Sequence, residues 1–185
     1  LVMKNEIDFF DYSYYTYLEK LATSSDINPN RLNVLAKDPD FNVRRAVAQN
    51  PKTLPETLTI LAKDEHWIVR KAVANNRKTT TDVLDELSKD VDLNVYDAVA
   101  GNPSSSPTTL SFLANNERWL PRACVAANPS TSIDTLIILA KDKHWIVRRS
   151  IANNPHTPPE ILVELSRDSN CEVRKAVSSN PRFSI

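Results

Sequence analysis

A period of 26 residues constrains this chain more than any other feature. Asn50, Asn76, Asn102, Asn128, Asn154 and Asn180 recur at that step, each followed by proline except Asn76, which precedes Arg77. Leucines keep the same step, at 32, 58, 84, 110, 136 and 162 and again at 35, 61, 87, 113, 139 and 165. The stretch HWIVRKAVANN, His66 to Asn76, returns as HWIVRRSIANN, His144 to Asn154, three periods later. A unit this short cannot close a core alone, so successive copies must bury their apolar faces against one another.

Each unit reads as two short helices. The first is expected to open on a capping box, with Thr53 and Thr157 as N-caps and Glu56 and Glu160 reaching back; Asp82 and Asp134 fill the acid position elsewhere, and Thr108 is the exception. Leu58, Leu61 and Ala62 then share one buried face. The second helix is expected to begin near Asp38, Asp64, Asp90, Asn116, Asp142 or Asp168 as N-caps, with Pro39 in the first helical position. Val69, Ala72 and Val73 form its buried stripe, and it should end at Asn-Pro because proline drives the preceding residue out of the α region. In the fourth unit Pro121 replaces a valine about five positions into that helix and predicts a delay or kink. Helices of roughly ten residues are marginal alone, so stacking must supply their stability. The fold class is all-α: a right-handed α-solenoid of about six 26-residue two-helix repeats over residues 26–185, with an N-terminal aromatic capping helix over 1–25.

The stretches LAKDEHWIVRKAVANN and LAKDKHWIVRRSIANNPHTPPEILVEL resemble the variant leucine-rich repeat, an all-helical bacterial repeat, and the Asp-x5-Arg spacing is shared with HEAT-type repeats. The resemblance implies helix pairs stacked in a right-handed superhelix, one helix of which can be short and of 3₁₀ type. Some members carry a cysteine-rich iron-sulfur segment before the repeats. The N-terminal segment here has no cysteine, so no cluster and no other cofactor is expected.

Arginine recurs inside the second helix's apolar run. Arg44, Arg70, Arg122, Arg148 and Arg174 each lie six residues after Asp38, Asp64, Asn116, Asp142 and Asp168; the third unit has Asp90 and Tyr96. A planar guanidinium there can bridge its own unit to the next unit's aspartate, as matching residues do in HEAT-type repeats, giving a structural ladder. Phosphate binding by these arginines is the alternative. The asparagine row reads as a second, capping ladder.

Positions that differ between units are free to be specific. One such row is Arg45, Lys71, Asp97, Ala123, Arg149 and Lys175; another is Asp40, His66, Asp92, Arg118, His144 and Asn170; beside it runs Phe41, Trp67, Leu93, Trp119, Trp145 and Cys171. The tryptophans either fill gaps between units or, with His66, Arg118, His144 and the basic row, form a groove for a peptide or single-stranded nucleic acid. Asp97 and Ala123 interrupt the basic row, against a continuous phosphate track.

Charge excludes little and favours little. Lysine plus arginine equals aspartate plus glutamate, 23 each, so no global field steers nucleic acid or a membrane to the chain. Catalysis has no constellation of base, nucleophile and orienter. His66 and His144 are three repeats apart, too far to share a metal. Cys124 should be buried and inert and Cys171 more accessible; two separated cysteines and no membrane-length apolar run fit a cytoplasmic protein. Leu1 and Val2 precede the only methionine and are expected to be foreign to the natural chain. In FFDYSYYTYLEKLA, Phe10, Tyr14, Tyr17 and Leu21 share a helical face, leaving Tyr12 and Tyr15 for a partner. At the other end Val173, Val177 and Phe183 are expected to leave apolar surface, covered by a fold-back of 182–185 in a monomer or by a second copy in a two-fold dimer. The resulting expectation is a non-enzymatic scaffold for a protein or peptide partner, with nucleic-acid binding as the alternative.

Overall fold

A computed structural model describes the backbone of residues 5–183 and the side chains of residues 14–183. Within them the chain is all-α: α1 (Asn5–Thr23), α2 (Pro29–Leu35), α3 (Phe41–Gln49), α4 (Pro55–Leu61), α5 (Trp67–Asn75), α6 (Thr81–Leu87), α7 (Leu93–Gly101), α8 (Pro107–Leu113), α9 (Trp119–Ala127), α10 (Ile133–Leu139), α11 (Trp145–Asn153), α12 (Pro159–Leu165) and α13 (Cys171–Ser179). The repeat is a seven-residue first helix followed by a nine-residue second helix. The first helices are α-helical. Two compact units divide the chain, Leu1–Val83 and Leu84–Ile185, with the boundary inside α6. In the first unit α3 packs between α1 and α5; in the second α7, α9, α11 and α13 stack in order, with α8, α10 and α12 packed against them.

The leucine rows become the core. Leu32 and Leu58 in one unit and Leu84, Leu110, Leu136 and Leu162 in the other are completely buried, as are Val43, Val69, Val95, Val147 and Val173 of the second helices. Helices about 10 Å long hold their place because each buries one face on its neighbours. No residue with described backbone has positive φ, so a chain with Gly101 as its single glycine meets no conformation that requires another.

Every helix start departs from the sequence expectation by one or two residues. The N-cap residues of the second helices are Asp40, His66, Asp92, Arg118, His144 and Asn170, and all but Arg118 accept a first-turn N–H. The side chains expected to cap, on Asp38, Asp64, Asp90, Asn116, Asp142 and Asp168, instead accept the backbone N–H two residues on, at 2.8–2.9 Å. They form the turn before the helix, which leaves Pro39 outside it. The capping boxes do not form either. First helices begin after Leu54, Ser106, Ser132 and Pro158, with Pro55, Pro107 and Pro159 in the first helical position. The hydroxyls of Thr53, Thr79, Ser105, Thr131 and Thr157 donate backwards, to Val47, Val73, Val99, Val125 and Ile151 carbonyls at 2.5–2.7 Å. A buried hydroxyl serves the orphan carbonyls of one helix instead of the orphan amides of the next.

Pro121 does not kink its helix. Because α9 begins at Trp119, Pro121 is its third residue, where an N–H has no intrahelical i−4 acceptor. What it forgoes is the short bond that Val69, Val95 and Val147 donate to the carbonyls of His66, Asp92 and His144 at 3.0–3.1 Å.

The second helix also stops for a different reason than proline. Asn76 precedes Arg77 yet takes the same extended conformation, φ −76°, ψ 127°, as Asn50 before Pro51, φ −71°, ψ 128°. The asparagine Oδ1 accepts the N–H two residues on in both. Its Nδ2 reaches back to the preceding repeat: in Asn50, Asn76, Asn128, Asn154 and Asn180 it donates to a carbonyl 28 residues earlier at 2.6–2.8 Å and to one 26 earlier at 2.8–3.1 Å.

Two expectations at the ends are corrected. Among the described side chains of α1 the buried ones are Leu18 and Ala22, whereas Tyr14 and Tyr17 are more than half exposed. The carbonyls of Ala22 and Ser24 receive Asn50 at the same 28- and 26-residue separations as in the repeats, so the last turns of α1 occupy the place of a preceding second helix. The side chains of Phe10 and Tyr12 lie outside the described residues. On α13, Val173 and Val177 are completely buried, because their stripe faces α11 and α12. Phe183 is half-buried and its N–H donates to the Asn180 carbonyl; the expected fold-back at residues 184–185 lies outside the described residues.

Candidate functional site

The arginine row forms contacts of one geometry. Arg44 Nε and Nη2 donate to Asp64 Oδ2 and Oδ1 at 2.6 and 3.0 Å, Arg122 to Asp142 at 2.6 and 2.9 Å, and Arg148 to Asp168 at 2.6 and 3.0 Å. The third nitrogen, Nη1, donates to the main-chain carbonyl of Asp38, Asn116 or Asp142 in the arginine's own repeat, and Arg70 and Arg174 make the same bond to Asp64 and Asp168. Burial raises the Asp64 and Asp142 carboxyls, but their hydrogen bonds to Arg44 and Arg122 prevail and hold both below the ordinary range. Arg148 does the same for Asp168. The guanidinium edges of Arg44, Arg122 and Arg148 are occupied, which leaves these three no bidentate edge for a phosphate.

Two of the variable rows lie at the N-terminal ends of the second helices, and the row from Arg45 to Lys175 lies at their middle. In the first unit the Phe41 ring stacks on His66, centroids 4.0 Å apart and planes 3° from parallel, and His66 lies 6.3 Å from Trp67. In the second unit Trp119 stacks on His144 at 4.6 Å and 4°, and His144 lies 6.5 Å from Trp145. Both histidines are N-caps: Ile68 and Ile146 N–H donate to His66 and His144 Nδ1 at 3.3 and 3.4 Å. The accepting nitrogen is Nδ1, so the neutral ring carries its proton on Nε2. This accounts for the repeated HW. Each His-Trp pair follows a repeat that offers an aromatic first helical residue for the imidazole to stack on.

A cleft of ≈ 290 Å³ opens beside the second stack, between Arg118, Trp119, Leu120, Lys143 and His144. Trp119 is 38% and Leu120 37% exposed. The cations of the rows are largely engaged. Arg45 pairs with Glu19 at 2.5 Å, Arg118 with Asp97 at 3.2 Å, and Lys175 with Glu172 at 2.7 Å. Lys71 is half-buried and Arg149 exposed. Ala123 is buried, so its row does not run as one surface.

Cys124 is half-buried, and burial together with Asp97 pushes its thiol up; Cys171 is exposed. Among the described residues no helix is long and apolar enough to cross a membrane. A further set of residues escaped the sequence reading. Phe112, Ile133, Ile137, Ile138 and Val163, on α8, α10 and α12, are 44–64% exposed. The available signal was that Phe112 and Ile138 stand at a repeat position that is also apolar and exposed at Val34 and Ile60 and is acidic at Glu86 and Glu164.

No family profile and no curated protein matches the chain. Among solved structures, the chain is similar to a leucine-rich repeat variant described as having a novel repetitive structural motif, at 25% identity and TM-score 0.62 over 88% of this chain and 64% of that one. The chain thus spans under two thirds of that protein's length. It is also similar in fold to the YibA protein of Escherichia coli, at 18% identity and TM-score 0.54 over 90% of this chain and 72% of that one. With the 26-residue period and the paired helices, the chain shares the fold of that leucine-rich repeat variant.

Proposed function

We propose that this chain is a non-enzymatic cytoplasmic scaffold that binds a protein or peptide through the N-terminal ends of its second helices. The observation that carries this reading is the pair of part-exposed aromatic and imidazole stacks, Phe41 on His66 and Trp119 on His144. They occupy positions that vary between repeats, whereas the repeating arginines and asparagines are spent on stacking. Rigid rings with a polar edge are the residues that dominate peptide interfaces. Arg118, Trp119, His144 and Trp145 form the main contact, with Lys143 beside them; His66 and Trp67 form a second, flanked by Arg45 and Lys71. Single-stranded nucleic acid is the other reading, with Arg45, Lys71, Arg149 and Lys175 meeting phosphate. It is less well supported, because Arg45 and Lys175 are already paired with acids.

Peptides selected from a displayed library on the whole chain test the proposal. Binding followed by tryptophan fluorescence should fall at least about tenfold in a Trp119→Ala, His144→Ala variant, the loss expected for a hot-spot pair. Failure of the selection, with an oligonucleotide binding at low salt and lost steeply as salt rises, would replace this reading with the nucleic-acid one.

A further inference from the structure

We infer that the outer face of α8, α10 and α12 is a self-association surface, which a second copy of this chain covers across a two-fold axis. The face lies wholly within the second unit and is separate from the aromatic stacks. Phe112, Ile133, Ile137, Ile138 and Val163 are 58, 57, 44, 64 and 48% exposed. Each of these helices has already committed other residues to the core, Leu110 and Leu113, Leu136 and Leu139, Leu162 and Leu165. Core packing therefore does not account for the five. Single exposed apolar residues are ordinary, whereas a group of them on three successive helices marks an interface.

Charge on the same face identifies the occupant. Asp134 stands in the first turn of α10 and Lys141 just past its last, both exposed, with Ile137 and Ile138 between them. Helix-dipole compensation can explain that order of charges but gives no reason for the apolar middle. A two-fold axis normal to α10 lays the second copy's α10 antiparallel on the first. Asp134 of each copy then meets Lys141 of the other, isoleucine meets isoleucine, and the flanking helices meet their own counterparts, Phe112 on Phe112 and Val163 on Val163. Such an isologous, self-complementary arrangement is what a closed dimer requires. An anionic membrane or a nucleic acid would meet Asp134, Glu160 and Glu164 on this face, and a polybasic partner would meet Lys141 and Arg167. Neither complements it.

The interface is small. Three helices about 10 Å long and about 10 Å apart present roughly 300 Å², less than half the ~800 Å² per partner of a standard stable complex. The dimer is therefore weak, with a Kd of roughly tens of micromolar or above.

Sedimentation equilibrium of the full chain from micromolar to millimolar concentration tests this. The mass should rise from 20.8 kDa toward twice that value. Ile138→Asp places an unpaired charge at the centre and should lower the association constant by roughly a hundredfold or more. Asp134→Lys should weaken association by about tenfold, and adding Lys141→Asp should restore it. Melting curves, expected to match the wild type because all three positions are exposed, show that the variants fold. A constant 20.8 kDa mass overturns the inference. So does a dimer indifferent to Ile138→Asp, which places the contact elsewhere, or a double swap that fails to recover.

Discussion

Arg148 shows how one side chain joins two repeats. Its Nη1 closes the turn of its own repeat at the Asp142 carbonyl, while Nε and Nη2 hold Asp168 of the next; the two side chains are 16 and 7% exposed. Removing the arginine strands a nearly buried carboxylate, so Arg148→Ala should destabilise by about 1–3 kcal/mol in urea unfolding. An unchanged midpoint would mean that the pair contributes nothing to stacking. The same pairs set an acid limit. The folded carboxyls of Asp64, Asp142 and Asp168 lie below their ordinary value of 3.8, so their stabilisation is fully present above that pH and is lost as pH falls through the folded values. Stability measured between about pH 5 and pH 2 should fall less steeply in Asp168→Asn than in the wild type.

At the scale of the helix, the ends carry the information that the apolar stripes do not. Asn154 caps α11, accepts the His156 N–H and donates to the carbonyls of Ala126 and Asn128. Asn154→Ala removes all three side-chain bonds and should cost about 2–4 kcal/mol, more than the loss of any single exposed cap. Pro121 makes the opposite case. Since it sits in the first turn of α9, Pro121→Val should change stability by no more than about 1 kcal/mol, whereas proline two positions later, Ala123→Pro, should cost about 3 kcal/mol or more. Chemical denaturation of the two variants distinguishes a first-turn proline from an interior one. The period of 26, the two helices per repeat and their buried leucines were legible in the sequence, because spacing alone determines which residues share a face. The helix starts were not, because neighbouring polar residues such as Asp64 and His66 can each cap, and a carboxylate held by Arg44 of the preceding repeat or a Thr53 hydroxyl bonded to the Val47 carbonyl is visible only once the helices pack.

At the scale of the molecule, stability is distributed between neighbours. The second helices pack against one another within each unit, whereas the first helices expose an entire side. Hydrogen exchange should accordingly be slowest in α3, α9 and α11, each with a second helix or α1 on both sides, and faster in α8, α10 and α12. Equal protection throughout would point to a single all-or-none unit. What the sequence by itself determined is the architecture: identical residues every 26 positions demand identical environments, and stacked helix pairs supply them. The ladder spacing, Asp-x5-Arg with asparagine at each second-helix end, was visible for the same reason. Only the tertiary structure decided what the variable positions do. Phe41 and His66, or Trp119 and His144, lie 25 residues apart in the chain and become parallel neighbours only when two repeats stack. Likewise Glu19 claims Arg45 and Asp97 claims Arg118 across a repeat boundary. A side chain's partner across a repeat boundary depends on the angle and distance at which the helices pack, and one repeat's residues do not contain that geometry.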